Sequence, residues 1–386
     1  MTVIEGLAAP ATTIFERMSR AAAASGAINL GQGFPDLPEP PELIAAAQSA
    51  LSGHSNQYPP MRGLPRLRQA IAAFYAREQG LELAEDAVLV TSGATEALAA
   101  AILALVRPGD EVILVQPLYD AYVPLVQRAG GVARFVDLTP PAWTLPLDAL
   151  FAATSARTRM LILNTPNNPA GSRIDRATLE AIATWAQRHG VILLCDEVWE
   201  AMQFDGAGHV SPLAIPGLRD HTVKIGSAGK IFSLTGWKVG WACAAPELIA
   251  QIGASHQFLT FTTPPMLQWA VAEGLDLPAA WHAAHRARYQ PGRARLIAGL
   301  QDAGYAVLPS AATWFVTIDL AASGIALDDQ SFCERSIPEA GVAAIPISSF
   351  YARAPLTGYV RLCFAKGADT LDAAVERLGA FRKSLS

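Results

Sequence analysis

Lysine is scarce in this chain. Of 29 basic residues five are lysine (224, 230, 238, 366 and 383), and the other 24 are arginine. Cysteine is also sparse. The four present, at 195, 243, 333 and 363, form no CxxC pair, so neither a zinc site nor a disulfide framework is indicated; Cys195, inside an apolar run, reads as a small core residue. None of the seven histidines sits in an HExxH pattern. His282 and His285, three apart beside Trp281 and Arg286, read as helix-face residues rather than metal ligands. With a net charge of -5 there is no basic stripe to neutralise phosphates, which disfavours a nucleic-acid partner. No apolar run reaches the ~18 residues that cross a bilayer. The opening MTVIEGLAAPATTIFERMSR lacks the charged start and apolar core of a signal peptide, so the expected location is the cytoplasm.

What is abundant is apolar: 51% hydrophobic against 16% charged residues over 386 positions, a core-rich chain long enough for about two to three domains. Short apolar runs at 87–93, 110–117, 159–166, 190–198 and 221–229 read as strands, and the three- and four-residue spacing at 94–106 and 176–190 reads as helices. Strands apolar throughout and separated by helices predict an α/β fold with a largely parallel sheet covered on both faces. After a long helical stretch near 264–303, strand-like pieces at 303–310, 312–320 and 358–366 and a helix at 369–385 predict a smaller α+β domain. The expected organisation is an N-terminal arm over 1–40, a large domain over 41–280 and a small domain over 281–386. No internal repeat or low-complexity linker stands out.

In open α/β sheets ligands gather outside the carboxyl ends of the strands. Each central run here ends there in polar or special residues: TSGATE, QPLYDAY, NTPNNPAG, DEVWE and GSAGK. SGATEAL puts small residues and a hydroxyl at a helix start, where free amides suit a phosphate, or where Ser92 or Thr95 serves as an ordinary N-cap. GSAGK could add Ser227 to the same anion. It is not a Walker A loop, since Ile231 stands where Ser or Thr is required, and GQG at 31–33 lacks the third glycine of a dinucleotide fingerprint. Asp196 follows a buried run and needs a cation or donor, or is a cap or turn residue. Asn168 could serve turn geometry alone, and Tyr119 packing alone. Lys230 and Lys238 share SAGKIFSLTGWKVGW. An amine, unlike a guanidinium, can lose its proton and act as base or nucleophile.

Together, NLGQGFPD, NQYPPMRGLPRLRQAI, SGATEAL, PLYDAY, NTPNNPAG, CDEVW, SAGKIFSLTGWKVGW and YVRLCFA resemble, over nearly the whole length, the fold-type I pyridoxal phosphate enzymes. Within these the chain resembles the class I/II aminotransferases, nearest the kynurenine–oxoacid and methionine aminotransferase branch. The resemblance implies pyridoxal 5'-phosphate as cofactor, bound covalently to Lys230. Lys230 would also move the substrate proton. Asp196 would pair with the pyridine nitrogen, Asn168 with the ring hydroxyl, and Tyr119 would stack on the ring. Gly93, Ala94, Thr95, Ser227 and Lys238 would hold the phosphate, with Tyr58 of a neighbouring subunit. Gly33, Asn168 and Arg361 would bind the substrate, Arg361 clamping its α-carboxylate. Lys238 replaces the Arg of many relatives, and Trp199 replaces a Tyr that bonds the ring oxygen, which alters the proton affinity expected of the bound cofactor.

The implied activity is amino transfer from an L-amino acid to a 2-oxo acid by a ping-pong cycle, in a homodimer with shared active sites. Two alternatives are a cysteine-S-conjugate β-lyase and a catalytically silent sensor of the same fold. Phe34, Tyr58, Tyr119 and Tyr122, placed near the expected mouth, favour an apolar or aromatic donor.

Overall fold

The computed structural model describes residues 13–385; the first twelve residues of the expected arm lie outside the described residues. The chain forms two compact units. The larger comprises Phe34–Pro291 together with Pro309–Trp314, and the smaller comprises the described residues up to Gly33, Gly292–Leu308 and the chain from Phe315 onward. These divisions differ from the boundaries at 40/41 and 280/281 read from the sequence. The return of 309–314 to the larger unit has a plain cause. Ala311 and Ala312 donate their N–H groups to the Gly171 carbonyl and Thr313 donates to the Met202 carbonyl.

The larger unit is built on seven strands: β1 (Val88–Thr91), β2 (Glu111–Gln116), β3 (Val132–Asp137), β4 (Thr158–Asn164), β5 (Ile192–Asp196), β6 (Thr222–Ser227) and β7 (Gly240–Cys243). Their order in the sheet is β1-β7-β6-β5-β4-β2-β3. β7 runs antiparallel to both neighbours and the other six share one direction. β5 and β6 are buried at every position, so side chains on both faces of the sheet are covered. Ile192–Cys195 of β5 accordingly reads as an unbroken apolar run, whereas buried Lys224 interrupts β6. β3 is an edge strand in which exposed positions alternate with half-buried ones and Val136 is buried, so VARFVD has no continuous run to betray it. β7 starts on the last two residues of the motif GWKVGW and continues through Ala242 and Cys243, a short run of small and aromatic residues that masks its strand character.

Helix α1 (Ala94–Leu105) follows β1 and α2 (Arg176–His189) precedes β5, matching the two helical patterns read from the sequence. The stretch near 264–303 is three helices rather than one: Pro265–Asp276, Ala279–Ala287 and Gln290–Asp302. The first two start directly after Pro264 and Pro278, where proline's fixed φ and missing N–H favour a fresh helix start. A core of Phe74, Tyr75, Val88, Val90, Phe232, Trp241 and Val271 packs one face of the sheet.

The smaller unit has a four-stranded antiparallel sheet, in the order Ile345–Pro346, Tyr359–Cys363, Phe315–Asp319 and Ala306–Val307. Helices Asp329–Ala340 and Ala368–Ser384 belong to it. The short strand Ile28–Asn29 pairs in parallel with Val342–Ala343, which ties the N-terminal segment into this unit.

Candidate active site

The five strands read from the sequence run in one direction, so their carboxyl ends share one rim of the larger unit. β1 delivers Gly93, Ala94 and Thr95; the segment after β2 delivers Tyr119 and Tyr122; β4 leads to Asn168, β5 ends on Asp196 and β6 on Ser227. Asn164 and Asp196 are register partners on adjacent strands. The Asn164 amide donates to the Asp196 carbonyl (2.9 Å), while its Oδ1 accepts from the N–H of Asn168 (2.7 Å). Asn167 braces the rest of that turn, accepting from the Ala170 N–H at 3.1 Å. The turn role open to Asn168 is thus carried by Asn164 and Asn167.

The Asp196 carboxylate is buried. Its Oδ2 accepts from the Tyr122 hydroxyl at 2.6 Å and its Oδ1 from the Val198 N–H at 3.3 Å. Burial raises its pKa, against the opposing pull of Tyr122, Val198 and the Lys230 charge. A cationic partner would restore the ionised form. Tyr122, expected at the mouth, is instead buried and committed to Asp196. The reason is position: the first residue of the helix Tyr122–Arg128 points its hydroxyl inward. Tyr119 lies edge-on to Tyr122 (5.7 Å, 79°), interacts with the Thr95 side chain, and has its phenol pKa raised chiefly by burial.

Gly93, at φ 83°, is the N-cap of α1, and no side chain caps the helix. Ser92 is engaged elsewhere, its hydroxyl with Thr263 (2.9 Å) and its N–H with Glu96 (2.9 Å), so the ordinary-cap reading of Ser92 and Thr95 does not hold. A Cβ on Gly93 would stand 3.3 Å from the Lys238 Nζ, and one on Gly240 would stand 2.6 Å from the Ala94 nitrogen. The Lys238 amine therefore sits beside a helix N-terminus. Two positive features side by side repel unless an anion is shared between them, and a phosphate is an anion of the right kind. Ser227 is buried at the N-cap of the short helix Ala228–Ile231 that carries Lys230.

The Lys230 Nζ lies 4.7 Å from the centroid of the Trp199 ring and 5.2 Å from that of Trp314. Behind Asp196 a buried charge network braces the strand. Lys224 Nζ bonds Glu197 and Glu200, each at 2.6 Å, and Glu200 also accepts from Tyr75 (2.7 Å) and Gln79 (2.6 Å). Glu197, Glu200 and His209 lie close enough to hold a metal ion, yet Lys224 supplies the positive charge to both carboxylates. His282 and His285 lie on the helix Ala279–Ala287 and are buried, with His285 stacked on Trp281 (5.1 Å, 6°). All four cysteines are buried thiols.

Two predicted residues belong to the smaller unit. Arg361, on the strand Tyr359–Cys363, is buried; it donates to the Gly31 carbonyl at 2.7 Å and meets the rings of Phe315 (3.9 Å), Phe350 (5.1 Å) and Phe15 (5.3 Å). Burial pulls its pKa down to about 9, a cost that a bound carboxylate would relieve. Gly33 has a packing reason to lack a side chain, since its Cβ would stand 2.7 Å from the Phe315 ring. Tyr58 stands apart from the buried set. It is 83% exposed, with its ring 5.7 Å from Phe261.

Residues 25–378 match the protein-family model for aminotransferase class I and II. The chain belongs to the class I and II aminotransferases. It is 44% identical to a probable N-succinyldiaminopimelate aminotransferase of Mycobacterium tuberculosis, over 95% of this chain and 96% of the relative. It is 35% identical to human kynurenine–oxoglutarate transaminase 1, over 93% of each. The crystal structure of an Escherichia coli protein identified as a methionine aminotransferase superposes with a TM-score of 0.95 at 40% identity, covering 98% of this chain and all of that one. The aminotransferase is a fold-type I enzyme and uses pyridoxal 5'-phosphate. Its rim suits that group, offering an amine beside a helix start that no side chain caps among the described residues, and a buried carboxylate whose pKa burial raises.

Asn164, Trp314 and the Lys224 network were not assigned site roles from the sequence, and Tyr122 was expected at the mouth rather than against Asp196. Asn164 could have been found, since it closes a strand at the rim. Trp314 could not, because only the fold returns residues 309–314 to this unit.

Proposed function

We propose that the aminotransferase takes its nitrogen from an apolar, sulfur-containing or aromatic L-amino acid and passes it to a 2-oxo acid in two half-reactions. The observation that carries this reading is the set of three phenyl rings around Arg361: a carboxylate-binding guanidinium walled by Phe15, Phe315 and Phe350 favours an apolar side chain nearby. The methionine and kynurenine activities named for relatives point the same way.

Bound pyridoxal phosphate supplies an electron-accepting ring that stabilises negative charge at the substrate Cα. Lys230 Nζ would hold the cofactor covalently and, when released, would take and return the substrate Cα proton. Asp196 would keep the pyridine nitrogen protonated, with Tyr122 orienting the carboxylate. Asn168 and Trp199 would serve the ring oxygen and Tyr119 the ring face. Gly93, Ala94, Thr95, Ser227 and Lys238 would hold the phosphate, and Arg361 and Gly33 would receive the substrate carboxylate.

The unit in solution is a homodimer in which Tyr58 reaches the phosphate of the partner subunit. An exposed apolar group of Tyr58, Phe258, Leu259 and Phe261 supports an interface there. The enzyme works in the cytoplasm; among the described residues no helix is long and apolar enough to cross a membrane.

A donor panel tests the substrate class. Methionine, aromatic amino acids, kynurenine and N-succinyldiaminopimelate are each supplied with a 2-oxo acid, and the new oxo acid is measured. Methionine and aromatic donors should give kcat/KM at least about tenfold above the succinylated compound, a difference of about 1.4 kcal/mol. The reverse order defeats the apolar-donor reading. Pyruvate released from a cysteine conjugate without any oxo acid would mark elimination instead.

A further inference from the structure

Lys230 is seated in a corner of two indoles. Its Nζ is 4.7 Å and 5.2 Å from the Trp199 and Trp314 ring centroids, the two centroids are 4.9 Å apart, and the ring planes meet at 86°. The three points form a nearly equilateral triangle, so one amine lies over two perpendicular ring faces at once. Both distances fall inside the ~6 Å range over which an aromatic face attracts a cation, and indole is the strongest of the neutral rings in this respect.

Trp314 is held there at some expense. The residue before it, Thr313, adopts φ 72°, a conformation that a β-branched residue rarely takes and that persists only where surrounding contacts impose it. The Thr313 N–H is pinned to the Met202 carbonyl at 2.8 Å, and Tyr289 covers Trp314 with centroids 5.6 Å apart. Trp314 is fully buried, and among the described residues its indole N–H has no hydrogen-bond partner. A phenyl ring would fill much of the space without orphaning a donor, so the larger ring face is the feature that distinguishes tryptophan at this position.

We propose that Trp314 is a positioning residue for Lys230: with Trp199 it forms an aromatic corner that holds the Lys230 amine in place as its ammonium before the cofactor is attached. The corner raises the amine's proton affinity in the chain before cofactor attachment, in the same sense as the Asp196 carboxylate. The inference rests on Lys230 as the reacting amine.

The test exploits the scarcity of lysine. The full-length chain freed of cofactor is trace-labelled with acetic anhydride across a pH series, and acetylation of each lysine is mapped by peptide, with exposed Lys383 as the internal reference. The neighbouring titratable groups of the rim, Asp196, Tyr119, Tyr122 and Lys238, are the same in every variant. In Trp314→Leu the Lys230 midpoint should fall by about half to one pH unit. In Trp314→Phe and Trp199→Phe, which keep a smaller ring face and the apolar volume, it should fall less, with Lys383 unmoved. A Lys230 midpoint that stays or rises in the phenylalanine variants overturns the proposal, whether or not the leucine variant folds. Borohydride fixation of cofactor on Lys230, read separately by the same peptide map, fails only if the lysine assignment itself is wrong.

Discussion

Lys238 shows how much one side chain can carry. It adopts a left-handed backbone conformation (φ 55°), and Gly93, which its amine abuts, is itself at φ 83°. Replacing Lys238 with alanine removes one charged hydrogen bond to the proposed phosphate, a loss of about 1.5–3 kcal/mol, or about 10–100-fold in cofactor affinity. Lys238→Arg, which keeps the charge and adds a fork, should stay within a few-fold of the parent. Fluorescence titration of the cofactor-free chain with pyridoxal phosphate measures both. Equal affinity in the alanine variant would remove Lys238 from the phosphate site.

At the level of elements, the strand ending on Asp196 is braced from the next turn. Glu197 and Glu200 both bond Lys224 on the adjacent strand β6, and the ammonium also lies 4.7 Å over the Tyr75 ring. Burial works against the charged lysine, but the two carboxylates outweigh it and push its pKa up to about 12. Glu197 shifts the opposite way, its pKa lowered by Lys224 and His209 against the effect of burial. A raised lysine pKa stabilises the fold fully below its unfolded value of about 10.4, and that contribution is lost as pH rises through about 12. Lys224→Met leaves two buried carboxylates without their cation and should cost about 3–5 kcal/mol at neutral pH. Urea midpoints measure the loss. Glu200→Gln in the same background should restore part of it, and an unchanged midpoint in the single variant would show that the network contributes nothing to stability.

For the whole molecule, the exposed group around Tyr58 is the part that a lone chain explains least. Phe258 is 85% exposed, and Tyr58, Leu259 and Phe261 accompany it. A large apolar cluster left in water is costly unless covered. Phe258→Glu leaves the monomer's core untouched and should shift the protein from the proposed dimer to a monomer in sedimentation velocity at micromolar concentration. It should also weaken cofactor binding, because Tyr58 is proposed to serve the partner's phosphate. A parent enzyme that sediments as a monomer would defeat both statements.

The amino-acid order alone pointed to the strands buried on both faces, because covered stretches such as VILLC are apolar without alternation. It also determined which residues stand at their carboxyl ends, since a parallel sheet places every such end on one side. Edge strand β3 and antiparallel β7 were not legible: one alternates in burial, and the other starts in a motif of glycine and tryptophan. The tertiary structure alone decided that Tyr122 serves Asp196, that Lys224 meets both Glu197 and Glu200, and that Trp314, remote in sequence from Lys230, closes the corner around its amine. These depend on side chains from distant segments meeting at fixed angles, and local patterning carries no record of such meetings.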